Sequence, residues 1–379
     1  MIRVGITGQT GFVGTHLFNT LGLSPDRFQR IPFEDSYFQD DKKLNDFVVQ
    51  CDAIVHLAAM NRHNDPQVIY ETNVGLVKQL ISACELTKST PHILFSSSTQ
   101  EDRDNPYGKS KKEGRQLFEQ WADKNNAQFT GFIIPNVYGP FGNPYYNSVV
   151  ATFCHQLTHN EFPKIEIDGQ LKLIYVGELV KHIINRILKI NQKYKNDVVI
   201  EEVLLQHTGE TKVSSILKVL TEYKTGYLEK GEIPALDTPF RRNLFNTFVC
   251  YINHEDFFPF HLKLNTDNRG SFVETIKLHC GGQVSFSTTV PGITRGNHFH
   301  TRKAERFAVI KGKARIDIRR IGTDKIHSFE LDGTQPSFVD MPIWYTHNIT
   351  NIGVNELYTI FWINEHYNPS DPDTYFEEV

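Results

Sequence analysis

Residues 2–14 read Ile2-Arg3-Val4-Gly5-Ile6-Thr7-Gly8-Gln9-Thr10-Gly11-Phe12-Val13-Gly14. This stretch indicates the fold of the first half of the chain, because an apolar strand runs directly into a turn with the spacing G-x-x-G-x-x-G. Glycines at this spacing allow a tight turn, the approach of a pyrophosphate to the amino end of the next helix, and close packing of that helix on the strand. A glycine-rich turn by itself is a weak signal. Its place between a strand and a helix predicts a dinucleotide-binding turn.

The first half of the chain continues this alternation of strand and helix. The predicted strands are Ile2–Thr7, Ala53–Ala58, Ile93–Ser97 and Thr130–Ile134, and the predicted helices include Val68–Thr87 and Gly108–Lys124. Strands that alternate with helices predict a parallel sheet covered on both faces. The fold class expected here is therefore an α/β Rossmann-type, doubly wound parallel sheet.

The second half has a different pattern. From Leu262 onward, short strands are separated by Gly, Asn, Asp and Pro, and Ala314, Ile316 and Ile318 alternate with charged residues. This period is typical of half-buried strands in a sandwich or barrel. A length of 379 residues also favours two domains. We predict domains at residues 1–245 and 255–379, joined through Asp237–Asp256.

Tyr107 and Lys111 form the first candidate catalytic pair. Four residues apart on a predicted helix, they share one face. A nearby ammonium group is expected to lower the pKa of the tyrosine, which would suit it to acid or base catalysis near neutral pH. The spacing alone is weak, because a chain with 15 tyrosines contains such a match about once by chance. The preceding strand, however, ends in Ser96-Ser97-Ser98-Thr99, whose hydroxyls can hydrogen-bond a substrate carbonyl.

Together these features resemble the extended short-chain dehydrogenase/reductase family, which includes nucleotide-sugar epimerases, dehydratases and reductases. The resemblance implies that Ser98, Tyr107 and Lys111 are catalytic, with Thr99 as the alternative hydroxyl, and that Asn73 shapes the catalytic region. It implies that the cofactor is bound by Gly8, Gly11, Phe12, Val13, Gly14, Arg30, Leu57, Ala58, Ala59, Tyr107 and Lys111.

The choice between the two nicotinamide cofactors depends on the residues around the second strand. An acidic residue there favours NAD, whereas a basic one accepts the 2′-phosphate of NADP. Around the presumed strand Phe28–Phe33 both kinds occur, namely Arg27, Arg30, Glu34 and Asp35. We predict NADPH on the strength of Arg30, with NADH as the alternative.

A histidine cluster marks the second half. His298 and His300 point to the same side of a strand, and Glu305 and His347 can complete a ligand set for zinc or another divalent transition metal. Histidine pairs are common among 16 histidines, but the following Gly312 and the later P-x-W-x-x-H pattern make this set specific.

The set resembles the two motifs of the cupin family, which implies an all-β double-stranded β-helix, or jelly-roll, barrel with a divalent metal ion. The segments Asp267–Glu274 and Arg295–His298 also resemble cupin-type epimerases that act on 4-keto-6-deoxy nucleotide sugars. In those enzymes the histidine is a base, so whether His298 is a base or a ligand stays open.

The chain places a reductase-like half before a cupin-like half. In this order it is similar to a family of bifunctional, CapF-type capsular-polysaccharide enzymes. The matching segments are Asn61-Arg62, Asp104-Asn105-Pro106-Tyr107-Gly108, Tyr146-Asn147-Ser148, Asp267-Asn268-Arg269-Gly270-Ser271-Phe272, Gly292-Ile293-Thr294-Arg295-Gly296-Asn297-His298 and Asp371-Pro372-Asp373-Thr374-Tyr375-Phe376. This resemblance implies C3 epimerisation and then C4 reduction of a UDP-4-keto-6-deoxy-hexosamine to UDP-2-acetamido-2,6-dideoxy-L-talose, and a homodimer. The alternatives are a reductase with a structural cupin and a sugar-nucleotide-binding regulator without turnover.

The composition indicates which partners and which cellular compartment to expect. A net charge of -4 and a pI near 6.5 give no bulk attraction to nucleic acid or acidic membranes. No apolar run approaches the roughly 18 residues of a membrane helix. Five cysteines, with no C-x-x-C pair, predict free thiols in a reducing compartment. The first strand leaves no room for a signal peptide, so we expect a cytoplasmic protein without nucleic-acid or membrane partners.

Overall fold

A computed structural model of the chain describes residues 1–191, 199–268 and 270–379. Arg269, part of one segment quoted above, lies outside the described residues. The chain divides into two compact units. The first comprises Met1–Tyr138, Tyr145–Ser148 and Gln170–Thr211, and the second comprises Gly139–Pro144, Val149–Gly169 and Lys212–Val379. Within the described ranges, no helix has the length and apolar character that crossing a membrane requires.

The helices are, in chain order, α1 (Phe12–Gly22), α2 (Asp41–Gln50), α3 (Pro66–Thr87), α4 (Pro106–Asn125), α5 (Val149–Thr158), α6 (Val176–Ile187), α7 (Val213–Tyr223), α8 (Pro239–Val249) and α9 (His254–Phe257). Short 3-10 turns span Asp35–Gln39 and Leu188–Asn191, and a π-helical turn spans Lys224–Leu228.

The strands of the first unit are β1 (Ile2–Thr7), β2 (Phe28–Ile31), β3 (Ala53–His56), β4 (His92–Ser98), β5 (Phe129–Ile134), β6 (Asn136–Tyr138), β7 (Gln170–Tyr175), β8 (Ile200–Leu204) and β9 (Gly209–Lys212, whose last residue is the first of the second unit). Those of the second unit are β10 (Glu232–Ile233), β11 (Phe260–His261), β12 (Leu264–Asp267), β13 (Gly270–Val273), β14 (Lys277–Leu278), β15 (Gln283–Thr289), β16 (Thr294–Phe299), β17 (Glu305–Lys311), β18 (Lys313–Arg320), β19 (Ile326–Asp332), β20 (Ser337–Met341), β21 (Tyr345–Asn351), β22 (Leu357–Ile363) and β23 (Tyr375–Phe376).

The main sheet of the first unit confirms the predicted doubly wound fold. Its six strands lie in the order β2-β1-β3-β4-β5-β8, and every pairing is parallel. Strands β3 and β5 are buried along their whole length, which explains their continuous apolar sequences. The strand order reverses between β1 and β3, and ligands of such folds bind outside the carboxyl ends of the strands at this point.

The sheet is covered on both faces by hydrophobic clusters of helical residues. Helices α2, α3 and α4 contribute to one cluster, and α1 and α6 contribute to the other. Alternate residues of one strand enter different clusters: Ile54 packs on the first, whereas Ala53 and Val55 pack on the second. A second, three-stranded sheet has the order β6-β7-β9.

His92 is a buried, titratable residue of the main sheet. Its Nε2 lies 3.0 Å from the hydroxyl of Thr130, which also accepts a hydrogen bond of 3.0 Å from Arg186 Nε. Burial, followed by the charge of Arg186, lowers the pKa of His92 from 6.5 to about 3. The folded protein therefore holds His92 neutral near neutral pH.

We expect this residue to make stability depend on pH. Between pH 6.5 and 3 the unfolded chain protonates His92 and the folded chain does not, so its contribution is complete above pH 6.5 and is lost as the pH falls. The slope is up to about 1.4 kcal/mol per pH unit. Urea unfolding at several pH values measures it: His92→Gln should lose less stability on acidification than the wild type, and a variant of the exposed His63, His63→Gln, should follow the wild type. Parallel pH dependences for wild type and His92→Gln would contradict the assignment.

The second unit contains the predicted all-β region. Two five-stranded antiparallel sheets have the orders β11-β20-β17-β22-β15 and β19-β18-β21-β16-β23, and residues of both sheets share one hydrophobic core. This arrangement is consistent with a cupin. The predicted alternation is confirmed for Ala314, Ile316 and Ile318, which are fully buried. Asp317 is buried as well, and its carboxylate accepts a hydrogen bond from Arg315 at 3.0 Å.

The predicted joint between the domains is an ordered part of the second unit. Its helix α8 buries Leu244 and Phe248 completely. Nearby, Tyr227 donates a hydrogen bond of 2.6 Å to Asp340 of β20, and Asp340 pairs with the buried Arg306 of β17. The segment from residue 212 onward therefore packs with the β-sheets. The domain boundaries at 245 and 255 stay a prediction.

Candidate active sites

The glycine turn lies between β1 and α1, where the sequence predicts it. Gly8 has a φ of 69°, and a Cβ there would lie 2.8 Å from the backbone nitrogen of Ala58. A Cβ on Gly14 would lie 2.2 Å from the carbonyl oxygen of Gly8. Both positions therefore exclude a side chain. Phe12 and Val13 form the first turn of α1, so backbone N–H groups at the amino end of this helix are the candidate pyrophosphate site.

The end of β3 lies beside this turn. The hydroxyl of Thr7 is 2.8 Å from Nδ1 of His56, and the backbone nitrogen of Ala58 donates to the same hydroxyl at 3.4 Å. These contacts bring the residues Leu57, Ala58 and Ala59 next to the turn. They can form one wall of a cofactor site there, and this role stays a prediction.

Asn73 stabilises the loop that follows this wall. Its side-chain oxygen accepts a hydrogen bond of 2.7 Å from the backbone nitrogen of Met60, and its Nδ2 donates to the Met60 carbonyl and to Ser110, each at 3.0 Å. Asn73 is buried on α3 and Ser110 is buried on α4. The amide therefore connects the loop to the helix that carries Tyr107 and Lys111. A role of Asn73 in shaping the catalytic region stays a prediction.

Tyr107 and Lys111 lie on the first turns of α4. The helix begins at Pro106, and the side chain of Asn105 accepts a hydrogen bond of 2.8 Å from the nitrogen of Gly108, which caps it. Lys111 Nζ lies 5.8 Å from the centre of the Tyr107 ring and donates a hydrogen bond of 2.9 Å to the carbonyl of Ser96. The predicted shared face is confirmed.

The two candidate hydroxyls at the end of β4 differ in their surroundings. Ser98 is half-buried, and its Oγ accepts a hydrogen bond of 3.2 Å from the nitrogen of Gln100. That hydroxyl keeps its own proton for another acceptor. Thr99 is exposed and lies beyond the last residue of the strand. The geometry therefore favours Ser98, although the role of either residue stays a prediction.

The expected lowering of the tyrosine pKa is wrong for this structure. Burial, followed by the neighbouring Tyr146, raises the pKa of Tyr107 to about 12. Burial also lowers the pKa of Lys111 to about 8. The prediction from the sequence took the charge of the Lys111 ammonium group into account but not the loss of solvent around the phenol. Here the loss of solvent has the larger effect on the pKa of Tyr107. Tyr107 is therefore protonated at neutral pH, which is the form that donates a proton.

Tyr146 is a neighbour of the catalytic pair that the site prediction left out. Its hydroxyl accepts a hydrogen bond of 3.3 Å from the backbone nitrogen of Asn61, and Arg62 donates a short hydrogen bond to the carbonyl of Tyr145. Asn61 and Arg62 form one of the segments that match the CapF-type family, and Tyr146 begins another. The signal was present, but only the folded chain brings segments 85 residues apart into contact.

Arg30 is the predicted residue that the structure does not bring to the glycine turn. Its guanidinium lies 4.2 Å from the centre of the Phe18 ring and donates to the Phe18 carbonyl at 3.2 Å. Phe18 is six residues, or about 9 Å, beyond Phe12 along α1. Burial lowers the pKa of Arg30, and no carboxylate of the described residues pairs with it. Its role at the cofactor stays a prediction.

In the second unit, the predicted metal ligands come together. His298 lies on β16, His300 directly follows that strand, Glu305 begins β17, and His347 lies on β21. One ligand atom from each of the four residues lies within 4.8 Å of the others. Glu305 Oε2 is 3.3 Å from His300 Nε2 and 3.1 Å from His347 Nε2.

The atoms that face one another in this cluster fit a metal ion. His300 Nε2, Glu305 Oε2 and His347 Nε2 are buried and have no hydrogen-bond partner. Such atoms cost free energy unless a ligand satisfies them. The other ring nitrogens are engaged: Nδ1 of His300 faces the Asp373 carbonyl, and Nδ1 of His347 is 3.3 Å from the Tyr345 carbonyl. Three nitrogens and one oxygen suit zinc and similar divalent ions.

The electrostatics at Glu305 and His298 agree with this donor set. Burial by itself would raise the pKa of Glu305, but the neighbouring imidazoles of His300 and His347 lower it overall. Burial, followed by the charges of His347 and His300, lowers the pKa of His298 to about 4. The carboxylate is therefore anionic and the His298 imidazole neutral at neutral pH, and these are the forms that bind metal ions.

Comparison with known families decides the class of the first unit. The model of the NAD dependent epimerase/dehydratase family matches residues 4–200, just over half of the chain. The chain belongs to the NAD dependent epimerase/dehydratase family. Membership of this epimerase/dehydratase family confirms the resemblance and implies a nicotinamide dinucleotide cofactor. A second model, the polysaccharide biosynthesis C-terminal domain, matches residues 265–375.

Full-length relatives combine both parts. The chain is 31% identical to a UDP-2-acetamido-2,6-beta-L-arabino-hexul-4-ose reductase of Pseudomonas aeruginosa, over 99% of this chain and 98% of the relative. It is 34% identical to the crystal structure of the capsular polysaccharide assembling protein CapF from Staphylococcus aureus, with all of both chains covered and a TM-score of 0.62. The predicted CapF-type resemblance and the assignment as an enzyme are thereby confirmed.

A more distant structure supports the Rossmann fold alone. The protein RMD from Pseudomonas aeruginosa, solved in complex with NADPH, is 19% identical to this member of the epimerase/dehydratase family, with a TM-score of 0.52. The match covers 59% of this chain and 83% of that one.

Proposed function

We propose that this enzyme is bifunctional and acts on a UDP-2-acetamido-2,6-dideoxy-4-keto-hexose. The second unit inverts C3, and the first unit then reduces C4 with NADPH to give UDP-2-acetamido-2,6-dideoxy-L-talose, a precursor of N-acetyl-L-fucosamine for capsule or O-antigen. The observation that carries the proposal is the buried cluster of His300, Glu305 and His347, which the protein contains in addition to Tyr107 and Lys111. The substrate class is supported by the full-length relative, a reductase of a UDP-linked 4-ulose.

The order of the two steps follows from the chemistry of the ketone. A carbonyl at C4 acidifies the proton on C3, because the resulting negative charge delocalises onto the carbonyl oxygen. Removal of this proton and its return on the opposite face inverts C3. After C4 has become an alcohol, the acidity is lost. Epimerisation therefore precedes reduction.

For the reduction, Tyr107 supplies the proton, and the ammonium group of Lys111 stabilises the tyrosinate that remains. Hydride addition to C4 makes an alkoxide, which takes the phenolic proton and leaves a tyrosinate near the ammonium of Lys111. Ser98, at the end of β4, donates a hydrogen bond to the same oxygen and orients the carbonyl. The glycine turn and the neighbouring Ala58 hold the cofactor.

For the epimerisation, His300, Glu305 and His347, with His298 as the fourth candidate ligand, would hold a divalent metal ion, with zinc as our choice. Such an ion supplies Lewis-acid stabilisation of the negative charge on the C4 oxygen. We assign the C3 base to His298, because it is only half-buried whereas the other three cluster members are buried. Its ligand atom also lies within the cluster, so both roles of His298 from the sequence analysis stay part of the proposal.

We infer NADPH as the reductant from Arg30. Arg30 lies on β2, its guanidinium is partly covered by Phe18, and none of the described carboxylates neutralises it. A positively charged side chain near the second strand can pair with the 2′-phosphate that NADPH has and NADH lacks. The homodimer is inferred from the CapF-type resemblance, and a cytoplasmic location is supported by the five cysteines, which are all free thiols.

The competing function is reduction alone, with a metal ion that only stabilises the β-sheets. Exchange of the C3 proton with solvent distinguishes the two. We incubate the full-length enzyme with the 4-keto substrate in deuterium oxide without NADPH and follow the C3 proton signal by NMR. Deuterium at C3 is the expected result, because removal of the proton does not require hydride. Absence of exchange, together with reduction of the unepimerised sugar on addition of NADPH, would favour reduction alone.

A further inference from the structure

The segment Asp371–Glu378 lies beside the histidine cluster within the second unit. Its strand β23 pairs antiparallel with β16, so that Phe376 is opposite His298 and Tyr375 is opposite Phe299. Residues 371–376 form one of the segments that match the CapF-type family, yet neither proposed reaction requires them. Its contacts with the strands that carry the cluster suggest what it does.

Asp373 is the most connected residue of the segment, and only 2% of it is exposed. Its Oδ1 accepts hydrogen bonds from the nitrogen and the hydroxyl of Thr301, at 3.1 and 2.6 Å. Its Oδ2 accepts from the nitrogens of Arg302 and Lys303, at 3.0 and 3.1 Å. One carboxylate therefore fixes the loop that connects His300 to Glu305.

The backbone carbonyl of Asp373 determines the proton position on His300. It lies at hydrogen-bond distance from Nδ1 of that imidazole. A carbonyl can only accept, so in the neutral imidazole Nδ1 carries the proton and donates, and Nε2 keeps its lone pair on the side of Glu305. A metal ion requires this tautomer, because a ligating nitrogen has no proton.

The rest of the segment contacts the neighbours of the other two histidines. The hydroxyl of Thr346, next to His347, donates a short hydrogen bond to the carbonyl of Glu377. The nitrogen of Glu377 donates to the carbonyl of Asn297, next to His298, at 3.1 Å. Asn297 has a φ of 57° at a register shift between Gly296 and His298. The segment therefore holds the backbone in place next to His347 and next to His298.

We propose that Asp371–Glu378 positions the metal ligands, and that Asp373 is the positioning residue that holds His300 in its metal-binding tautomer and orientation. This inference rests on the proposed metal function of the cluster. Partners that orient ligating histidines commonly change metal affinity by about 10–100-fold when they are replaced. The segment would act on the metal site without touching the substrate.

The test is the zinc affinity of full-length Asp373→Asn. Asparagine has the size of aspartate and tolerates the φ of 41° at this position. Its amide group, however, places N–H donors against the backbone N–H groups of the 301–303 loop. Because donors do not pair with donors, the loop is displaced, and with it the backbone carbonyl of residue 373 that contacts His300. We expect the Kd for Zn²⁺ to rise about 10–100-fold in competition with a chromogenic chelator. The matched control is Asp332→Asn, which removes a surface ion pair with Lys313 in the same unit, outside the segment and the 301–303 loop, and should leave the Kd unchanged.

Two spectroscopic readouts separate positioning from general destabilisation. Long-range proton–nitrogen NMR of the metal-free protein should show the neutral imidazole of His300 as the Nδ1–H tautomer in the wild type and as a mixture of the two tautomers in Asp373→Asn. The visible spectrum of the Co²⁺-loaded protein should change in Asp373→Asn and stay constant in Asp332→Asn. A variant that merely melts earlier would change neither spectrum below its melting temperature.

A second pair of variants keeps the inference testable if Asp373→Asn does not fold. Thr346→Val removes the hydroxyl that contacts Glu377, whereas Thr346→Ser keeps it. We expect Thr346→Val to bind Zn²⁺ about fivefold more weakly than Thr346→Ser. Equal affinities in this pair, or unchanged affinity and Co²⁺ spectrum in a folded Asp373→Asn, would overturn the positioning role. A wild type that binds no Zn²⁺ would instead overturn the proposed metal function itself.

Discussion

Tyr107→Phe is expected to lower the rate of C4 reduction by about 10³-fold, because the variant keeps the ring but has no phenolic proton to donate. Burial raises the pKa of Tyr107 to about 12, so the wild-type phenol is protonated at neutral pH and ready to donate. The measurement is the loss of NADPH absorbance with a 4-keto UDP-sugar. Deuterium exchange at C3 should continue in the same variant, because that reaction is assigned to the second unit.

The matched control for this variant is Tyr70→Phe. Tyr70 also lies on a helix of the first unit, but its hydroxyl donates to Glu113 rather than facing Lys111. Reduction by Tyr70→Phe should equal that of the wild type. Loss of both reduction and exchange in Tyr107→Phe would show that the two reactions share one site. Unimpaired reduction would remove Tyr107 from the mechanism.

The sequence predicted the Rossmann-type sheet well because its signals are local. Strand β1 has its predicted bounds, Ile2–Thr7, since buried parallel strands are apolar throughout. Helices α3 and α4 each begin two residues before the predicted start, at Pro66 and Pro106. Proline is favourable in a first helical turn, where its missing N–H has no helical partner. The apolar periodicity used for the prediction does not contain this information.

The remaining differences arise from long-range contacts. The pKa of Tyr107 depends on burial, which the sequence does not give at a single tyrosine. Residues 212–249 pack with the β-sheets through side chains such as Tyr227, whose partner Asp340 is 113 residues away. The clustering of His298, His300, Glu305 and His347 could be predicted because their motif is specific. Asp373 could not, because its contact with His300 spans 73 residues and involves a backbone carbonyl.

His347→Ala is expected to reduce bound zinc from about one ion per chain to an undetectable amount and to abolish C3 exchange. His347 is completely buried, and its Nε2 is 3.1 Å from Glu305 Oε2. Its removal leaves only His298, His300 and Glu305 as donors, together with a cavity beside an anionic carboxylate. Metal content is measured by elemental analysis after dialysis, and exchange is measured by NMR. Reduction of a ketone that is already inverted at C3 should persist, because Tyr107 and Lys111 are unchanged.

Two further measurements make this expectation specific to the metal. His261→Ala replaces an exposed histidine of the same unit and should keep both the metal and the exchange. Dialysis of the wild type against a chelator should reproduce the loss of exchange, and added Zn²⁺ should restore it in the wild type but not in His347→Ala. Full metal content in His347→Ala would show that the cluster is not the metal site. Exchange that persists after chelation would show that His298 removes the C3 proton without Lewis-acid assistance, and the ion would then have only a structural role.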